Sequence, residues 1–229
     1  MNRYSPIEGN FPREFILLQG TGCKWKRCTF CDYFHDTSDN PFSVNEPVLR
    51  QVTGKFGVLD IINSGSACEL DADTIALIQD VVRTKGIHTL WLEMHYMYRN
   101  RLQNFATLFH PAKVKFRCGV ETFDLALRQT WNKGIPMDAT LEDISKHFQG
   151  VCLLCCTDSI EDTKQRLLRD IELSEQYFEY YSVNLFTPNG TSIQRNHEMV
   201  QWFKKDVLPK LKLSNKAEVL IDNDDLGVG

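Results

Sequence analysis

The chain has 229 residues, of which 42% are hydrophobic and 24% charged, and its 26 basic and 30 acidic side chains leave a net charge of −4. This length can bury a substantial core within one domain, and the acidic balance argues against a broad nucleic-acid footprint, which needs a basic face. No apolar run approaches membrane-spanning length and the opening Met-Asn-Arg-Tyr-Ser-Pro lacks a signal-peptide core, so a cytoplasmic location is expected, with thiols reduced.

After a short lead-in, the apolar run Phe15–Leu18 predicts a first strand and leads directly into Gly20-Thr-Gly-Cys-Lys-Trp-Lys-Arg-Cys-Thr-Phe-Cys. A helix is expected around Pro47–Val52, then a buried strand over Gly57–Ile62 that ends in Asn63-Ser-Gly-Ser66. Asp73–Lys85 places Ile75, Ile78, Val81 and Val82 on one helical face and is closed by Gly86. Thr89–Leu92 is a third strand running into Glu93-Met-His-Tyr96, followed by a helix around Tyr98–Phe109. Val114–Cys118 is a fourth, leading into Gly119-Val-Glu-Thr122 and a helix from Asp124 to Asn132. Asp138 is placed to cap a helix carrying Leu141, Ile144 and Phe148, and Val151–Cys155 is a fifth strand. Ser159-Ile-Glu-Asp162 reads as the capping box of a long helix. Tyr181–Phe186, a helix over Glu198–Leu208 and a last strand over Ala217–Ile221 complete the chain.

Strands alternating with helices imply right-handed βαβ units and a parallel sheet. The expectation is an α/β fold: one domain over residues 1–229 built as a partial or closed (β/α) barrel of about six parallel strands, with a doubly wound open sheet as the alternative. In such a barrel the active site lies where the strands end. The polar clusters all follow strands: the cysteine loop, Asn63–Ser66, Glu93–Tyr96, Glu121 and Asp222–Asp225.

Cys23, Cys28 and Cys31 fall within nine residues. Three thiolates of one loop can hold three irons of a cluster and leave the fourth open to an exogenous ligand. Zinc is the competing reading, but it lacks a fourth ligand better than His35, and structural zinc sites draw on two separated pairs. Cys68, Cys118, Cys152, Cys155 and Cys156 read as buried small hydrophobes.

This arrangement, with Phe30 directly before the last cysteine, resembles the radical S-adenosylmethionine (SAM) superfamily. The spacing C-x4-C-x2-C is one residue longer than that superfamily's usual C-x3-C-x2-C. Asn63-Ser-Gly-Ser66 stands where the superfamily receives the SAM amino group, and Gly119-Val-Glu-Thr122 with Arg128 and Asn132-Lys-Gly134 resembles the G-L-E-T…R…N-K-G pattern of one branch; the likeness runs from about residue 13 to 190. The resemblance implies a [4Fe–4S] cluster on Cys23, Cys28 and Cys31. It implies SAM held by Phe30, Asn63, Ser64, Gly65, Ser66, Glu93, Glu121, Arg128 and, against adenine, Leu154. It also implies reductive cleavage to a deoxyadenosyl radical, fed by a reductant such as flavodoxin or ferredoxin.

No second cysteine group with ligand spacing points to an auxiliary cluster, and with a net charge of −4 and no visible nucleic-acid module the substrate is expected to be a small metabolite rather than tRNA or protein. His95, Tyr96, Asn184, Asp222, Asn223 and Asp224, with Tyr98, are the candidates to touch it. A chain of this size is similar to the bacterial queuine lyases of queuosine salvage, which cleave a C–N bond of queuine to release an aminomethyl-deazaguanine; acidic residues suit the donor edge of that heterocycle. Another radical SAM lyase or isomerase and a non-catalytic electron-transfer protein are the alternatives.

Overall fold

A computed structural model describes all 229 residues. It contains eight strands whose order in the sheet follows the chain: β1 (Tyr4–Ile7), β2 (Arg13–Leu18), β3 (Val58–Asn63), β4 (Thr89–Glu93), β5 (Lys113–Glu121), β6 (Gly150–Cys155), β7 (Tyr180–Leu185) and β8 (Ala217–Leu220). Strands β2 to β5 pair in parallel, as do β6 to β8, while β1 is antiparallel to β2. A doubly wound sheet needs a point where strand order reverses. None occurs, and that alternative is excluded.

Where about six parallel strands were expected, the sheet has eight strands, of which β1 is antiparallel to its neighbour. β1 is only Tyr-Ser-Pro-Ile, and its proline confines it to an edge. The Glu14 carboxylate supplies what its sequence lacks: it accepts the Tyr4 hydroxyl at 2.8 Å and the Gly54 amide at 2.7 Å. Burial, followed by this carboxylate, pushes the Tyr4 phenol up to about 12.

The chain packs as two compact units. Unit 1 comprises residues 1–26, 33–117 and 224–229; unit 2 comprises 27–32 and 118–223. In unit 1 the helices are α1 (Phe42–Leu49) and α2 (Ala72–Thr84), then a 3₁₀ segment over Tyr96–Arg101 leading into α3 (Leu102–Ala106). Unit 2 holds α4 (Leu125–Thr130), α5 (Leu141–His147), α6 (Lys164–Tyr177), α7 (His197–Trp202) and α8 (Leu208–Leu211).

Several boundaries shift for identifiable reasons. α1 starts at Phe42, not near Pro47, and holds that proline within it. The expected helix over Tyr98–Phe109 is largely 3₁₀ at both ends. α5 is capped by Thr140, which accepts the Asp143 amide, rather than by Asp138. α6 starts at Lys164 behind Thr163, because Asp162 is drawn away to the Thr157 amide (2.7 Å) and the Arg166 guanidinium. The helix expected over Glu198–Leu208 is broken by a π turn at Phe203–Val207, and β8 stops at Leu220. No helix is long and apolar enough to cross a membrane.

Strand register divides each unit's sheet into two faces, since successive side chains alternate. In unit 1, Ile16, Leu18, Leu59, Ile61, Leu90 and Leu92 share one face at 0% exposure, each contributing about 1.5–3 kcal/mol by burial. The other face carries Arg13, Phe15, Asp60, Trp91, Glu93, Lys115 and Arg117. In unit 2, Val151, Leu153, Tyr181 and Val183 face α6, while Cys152, Leu154, Ser182, Asn184, Glu218 and Leu220 share the opposite face.

Candidate functional site

The cysteine loop leaves β2 at Gly20, whose amide donates to the Ser64 hydroxyl at 3.0 Å. A side chain on Gly20 would stand 2.9 Å from that hydroxyl and 3.3 Å from the Asn63 amide nitrogen, so glycine lets the strand end seat on the Asn63–Ser66 turn without displacing either side chain. Gly65 has the same role from the other side: its missing Cβ would lie 2.9 Å from the Gly22 carbonyl and 3.2 Å from the Cys23 Cα. Thus the first part of the loop and the turn after β3 interlock within unit 1.

All eight cysteines are free. Cys23, Cys28 and Cys31 are half-buried; Cys118, Cys152, Cys155 and Cys156 are buried as expected, and Cys68 is half-buried, its thiol pushed up to about 11 chiefly by burial. No three His, Cys, Asp or Glu side chains stand together as a metal-binding group, and His35 is exposed beside Phe34 at 4.2 Å. The fit of an iron–sulfur cluster to the loop rests on the donor set. It offers three reduced, accessible thiols of one short loop, with the Lys26 amide donating to Cys23 Sγ at 3.4 Å and with Lys24, Lys26 and Arg27 exposed between the first two. Cations and N–H donors beside the thiols offset the charge of a bound cluster. The residues present fit the group.

The extra residue of the loop is accommodated in a turn. Lys26 takes a left-handed φ of 47° and lays its ammonium over the Phe34 ring at 4.6 Å, while Trp25 stacks on His95 at 5.5 Å and 19°. His95 Nδ1 accepts the Met97 amide at 3.1 Å, which places the proton of the neutral ring on Nε2. The His95 amide in turn donates to the Ser66 hydroxyl at 3.0 Å.

Around the turn, the Asn63 Oδ1 is buried without a hydrogen-bond partner. Such an atom costs free energy unless a ligand donates to it. Glu93 keeps 34% of its side chain exposed and pairs with Arg117 at 3.5 Å. Tyr96 and Tyr98 are buried, at 3% and 5% exposure, and Arg99 covers the Tyr96 ring at 4.5 Å.

In unit 2, Phe30 packs edge-on against Trp131 at 5.6 Å, joining an apolar cluster of Leu127, Trp131, Leu154, Phe186 and Ile193. The Thr29 amide donates to the Trp131 carbonyl at 3.1 Å and the Asn189 side chain to the Phe30 carbonyl at 2.8 Å, fixing this half of the loop. Glu121 is 7% exposed in a left-handed conformation (φ 66°) that costs a non-glycine residue about 1–2 kcal/mol. Its carboxylate holds the Lys133 ammonium at 2.7 Å. Burial opposes that charge, but Glu121 and then Cys28 outweigh it, keeping Lys133 well above the ordinary lysine value. Gly119 makes room for the pair, since a Cβ there would meet Glu121 Oε1 at 2.6 Å and Lys133 Nζ at 3.0 Å. Gly119→Ala is expected to disrupt the pair and destabilise the protein by about 1–3 kcal/mol, read from the urea midpoint; an unchanged midpoint would show the pair to be dispensable.

Arg128 is 3% exposed rather than a solvated helix cation, and donates to the Pro136 carbonyl at 3.4 Å. Asn184 Oδ1 and Thr187 Oγ1 are buried without partners. Asp222 is 54% exposed in its side chain and accepts from Arg195 at 2.8 Å; Asn223 is exposed. Asp224 lies in unit 1, exposed, its carbonyl accepting the Gly227 amide at 2.7 Å. Asp222, Asn223 and Asp224 lie in the turn that follows β8.

Sequence reasoning missed Glu69, Arg195 and the charged row Arg13–Asp60–Arg117, and it quoted Lys133 within Asn132-Lys-Gly134 without giving it a role. Only Glu69 carried a readable signal, the spacing Ser66-x-x-Glu69 of a capping box.

No protein-family model and no curated protein matches the sequence. Among solved structures the chain is similar to a queuine lyase from Clostridium spiroforme bound to SAM and queuine, with 34% identity over 100% of this chain and 99% of that one and a TM-score of 0.94. It is also similar to Streptococcus suis SuiB bound to S-adenosylmethionine, with 12% identity, 93% of this chain against 47% of that one and a TM-score of 0.57. Methylornithine synthase (PylB) follows at 16% identity, 77% and 55% coverage and a TM-score of 0.54. The last two likenesses are of fold alone.

Proposed function

The chain belongs to the queuine lyase family of radical SAM enzymes, and from that premise we propose that it cleaves the C–N bond of free queuine to release an aminomethyl-deazaguanine. The observation that carries the reading is the full-length likeness to a queuine lyase bound to both molecules, joined to the interlock of the Cys23 loop with the Asn63–Ser66 turn. When bound, a [4Fe–4S] cluster and SAM together supply a deoxyadenosyl radical that can take a hydrogen atom from an unactivated carbon.

Cys23, Cys28 and Cys31 are the thiolates that would hold the cluster. The unpartnered Asn63 Oδ1, with Ser64, Gly65 and Ser66 beside it, is the acceptor set for the SAM amino group. Phe30 and Leu154, in one apolar cluster with Trp131, offer adenine a dry wall. Glu121, whose position is fixed by Lys133, is assigned to the ribose or methionyl group, with Glu93 and Arg128 as further SAM contacts. For the substrate, His95 and Asn184, the latter with an unpartnered oxygen, are the first contacts, with Tyr96, Asp222, Asn223 and Asp224 as further ones. The protein is proposed to work in the cytoplasm on a small molecule, with a one-electron donor such as flavodoxin or ferredoxin and without nucleic acid.

The test is anaerobic reconstitution followed by SAM, reductant and queuine. Deoxyadenosine together with the deazaguanine base is expected. Deoxyadenosine with no turnover of queuine, while another small substrate reacts, would move the protein to a different radical SAM reaction. Absence of SAM binding and of deoxyadenosine would leave a cluster protein without this chemistry.

A further inference from the structure

Glu69 was not among the residues expected at the site, yet its carboxylate receives three donors from three separate segments. Oε2 accepts the Ser66 amide at 2.8 Å, the ordinary bond of a capping box. Oε1 does more: it accepts the Lys24 amide at 3.1 Å, from 45 residues earlier, and the Tyr98 hydroxyl at 2.6 Å, from 29 residues later. The Thr21 hydroxyl adds a bond to the Glu69 carbonyl at 2.9 Å. Lys24 and Thr21 flank Cys23, so the chain on both sides of that thiol is tied to one residue. Gly65 makes the approach possible, since a Cβ there would stand too close to Glu69 Oε2. Capping the short 3₁₀ turn after β3 would use one oxygen only. The second is spent on the cysteine loop and on the segment after β4.

We propose that Glu69 is the positioning residue of the cluster loop, holding Cys23 in register with the Asn63–Ser66 turn so that cluster and SAM meet in one geometry. Bonds from N–H and O–H donors to an ionised carboxylate are short and strong. Burial and then Glu69 hold the Tyr98 phenol far above its ordinary value, so it stays a donor throughout the working pH range. The inference rests on the reading that Cys23, Cys28 and Cys31 hold a [4Fe–4S] cluster.

The test uses the full chain reconstituted anaerobically as wild type, Glu69→Ala, Glu69→Gln and Tyr98→Phe. Iron retention under a chelator, the EPR line shape of the reduced cluster, and its titration with SAM are recorded beside circular dichroism and Tm. Partners that orient metal ligands are typically worth about 10–100-fold in metal affinity or activity. Glu69→Ala is therefore expected to lose iron about 10-fold faster and to need about 10-fold more SAM for the same spectral change. Glu69→Gln, which keeps one acceptor oxygen, should fall between, and Tyr98→Phe should follow it. A purely capping role would lower Tm and leave line shape, iron retention and SAM titration as in wild type, and that result overturns the proposal. Should Glu69→Ala fail to fold, Glu69→Gln and Tyr98→Phe decide on the same readouts. A wild-type chain that takes up no cluster would instead overturn the functional reading on which the inference stands.

Discussion

Replacing Cys28 with alanine is expected to abolish iron uptake on anaerobic reconstitution and, with it, deoxyadenosine formation from SAM, whereas Cys155→Ala retains both. A cluster held by three thiolates of one loop cannot lose one and keep its open fourth iron, because the remaining pair no longer encloses it. Cys28 is half-buried on the loop. Cys155 is fully buried at the end of β6, and burial, followed by Cys156, drives its thiol well above the ordinary value. It stays protonated at neutral pH, and a thiol is a poor iron ligand. Cys155→Ala therefore costs a small packing defect, about 1 kcal/mol in thermal or urea unfolding. The visible absorbance of the reconstituted proteins separates the two variants. Bleaching in Cys155→Ala would relocate a ligand to β6.

The largest stability effect is expected at Asp60. This carboxylate is 1% exposed and accepts from Arg13 Nε at 2.8 Å and from Arg117 at 2.6 and 3.0 Å, while Arg117 also reaches Glu93. In this cluster the cations Arg13 and Arg117 face the anions Asp60 and Glu93. Asp60→Asn removes the charge that two arginines, each 3% exposed, share, leaving Arg117 with Glu93 and Arg13 with the Phe11 carbonyl, and breaking a buried pair from one side costs about 3–5 kcal/mol. Burial works against the charged carboxylate, but Arg117 and then Arg13 outweigh it, holding the Asp60 pKa below the ordinary value. A depressed pKa means that its contribution is fully present above the ordinary carboxylate pKa of about 4. That contribution is lost as pH falls through the lower folded value. Wild type should thus lose stability steeply in that acid range, and Asp60→Asn should show a flatter dependence there. Urea midpoints at neutral pH and at successively lower pH read both effects; a change below 1 kcal/mol at neutral pH would mean that the two arginines find other partners.

The strands and the loop that bears the thiols were legible because their signals are local. Phe15–Leu18, Thr89–Leu92 and Val151–Cys155 are short apolar runs bounded by polar residues, and three cysteines in nine residues need no tertiary information. β1 was not legible, since a four-residue strand containing proline is indistinguishable from a coil until Glu14 is seen to hold it. The α6 cap was misplaced because Asp162 satisfies the same pattern as a cap while its carboxylate is needed by Thr157 and Arg166. In the same way Glu93 could be recognised as a costly residue at the end of an apolar strand, but its partner Arg117 lies on another strand and is fixed only by register. Glu69 shows the general limit. Its capping spacing is written in four residues, whereas its bonds to Lys24 and Tyr98 exist only after the chain has folded.

The two-faced register also bears on how such an enzyme changes over time. In unit 2 the row Cys152–Ser182–Glu218 crosses three strands on the face away from α6, and its neighbours Val151, Tyr181 and Ala217 carry the packing. Each strand therefore interleaves two sets of positions with separate duties. Substitutions that keep side-chain volume on one set therefore act on one face of the sheet at a time, and leave the packing of the other face to its own residues.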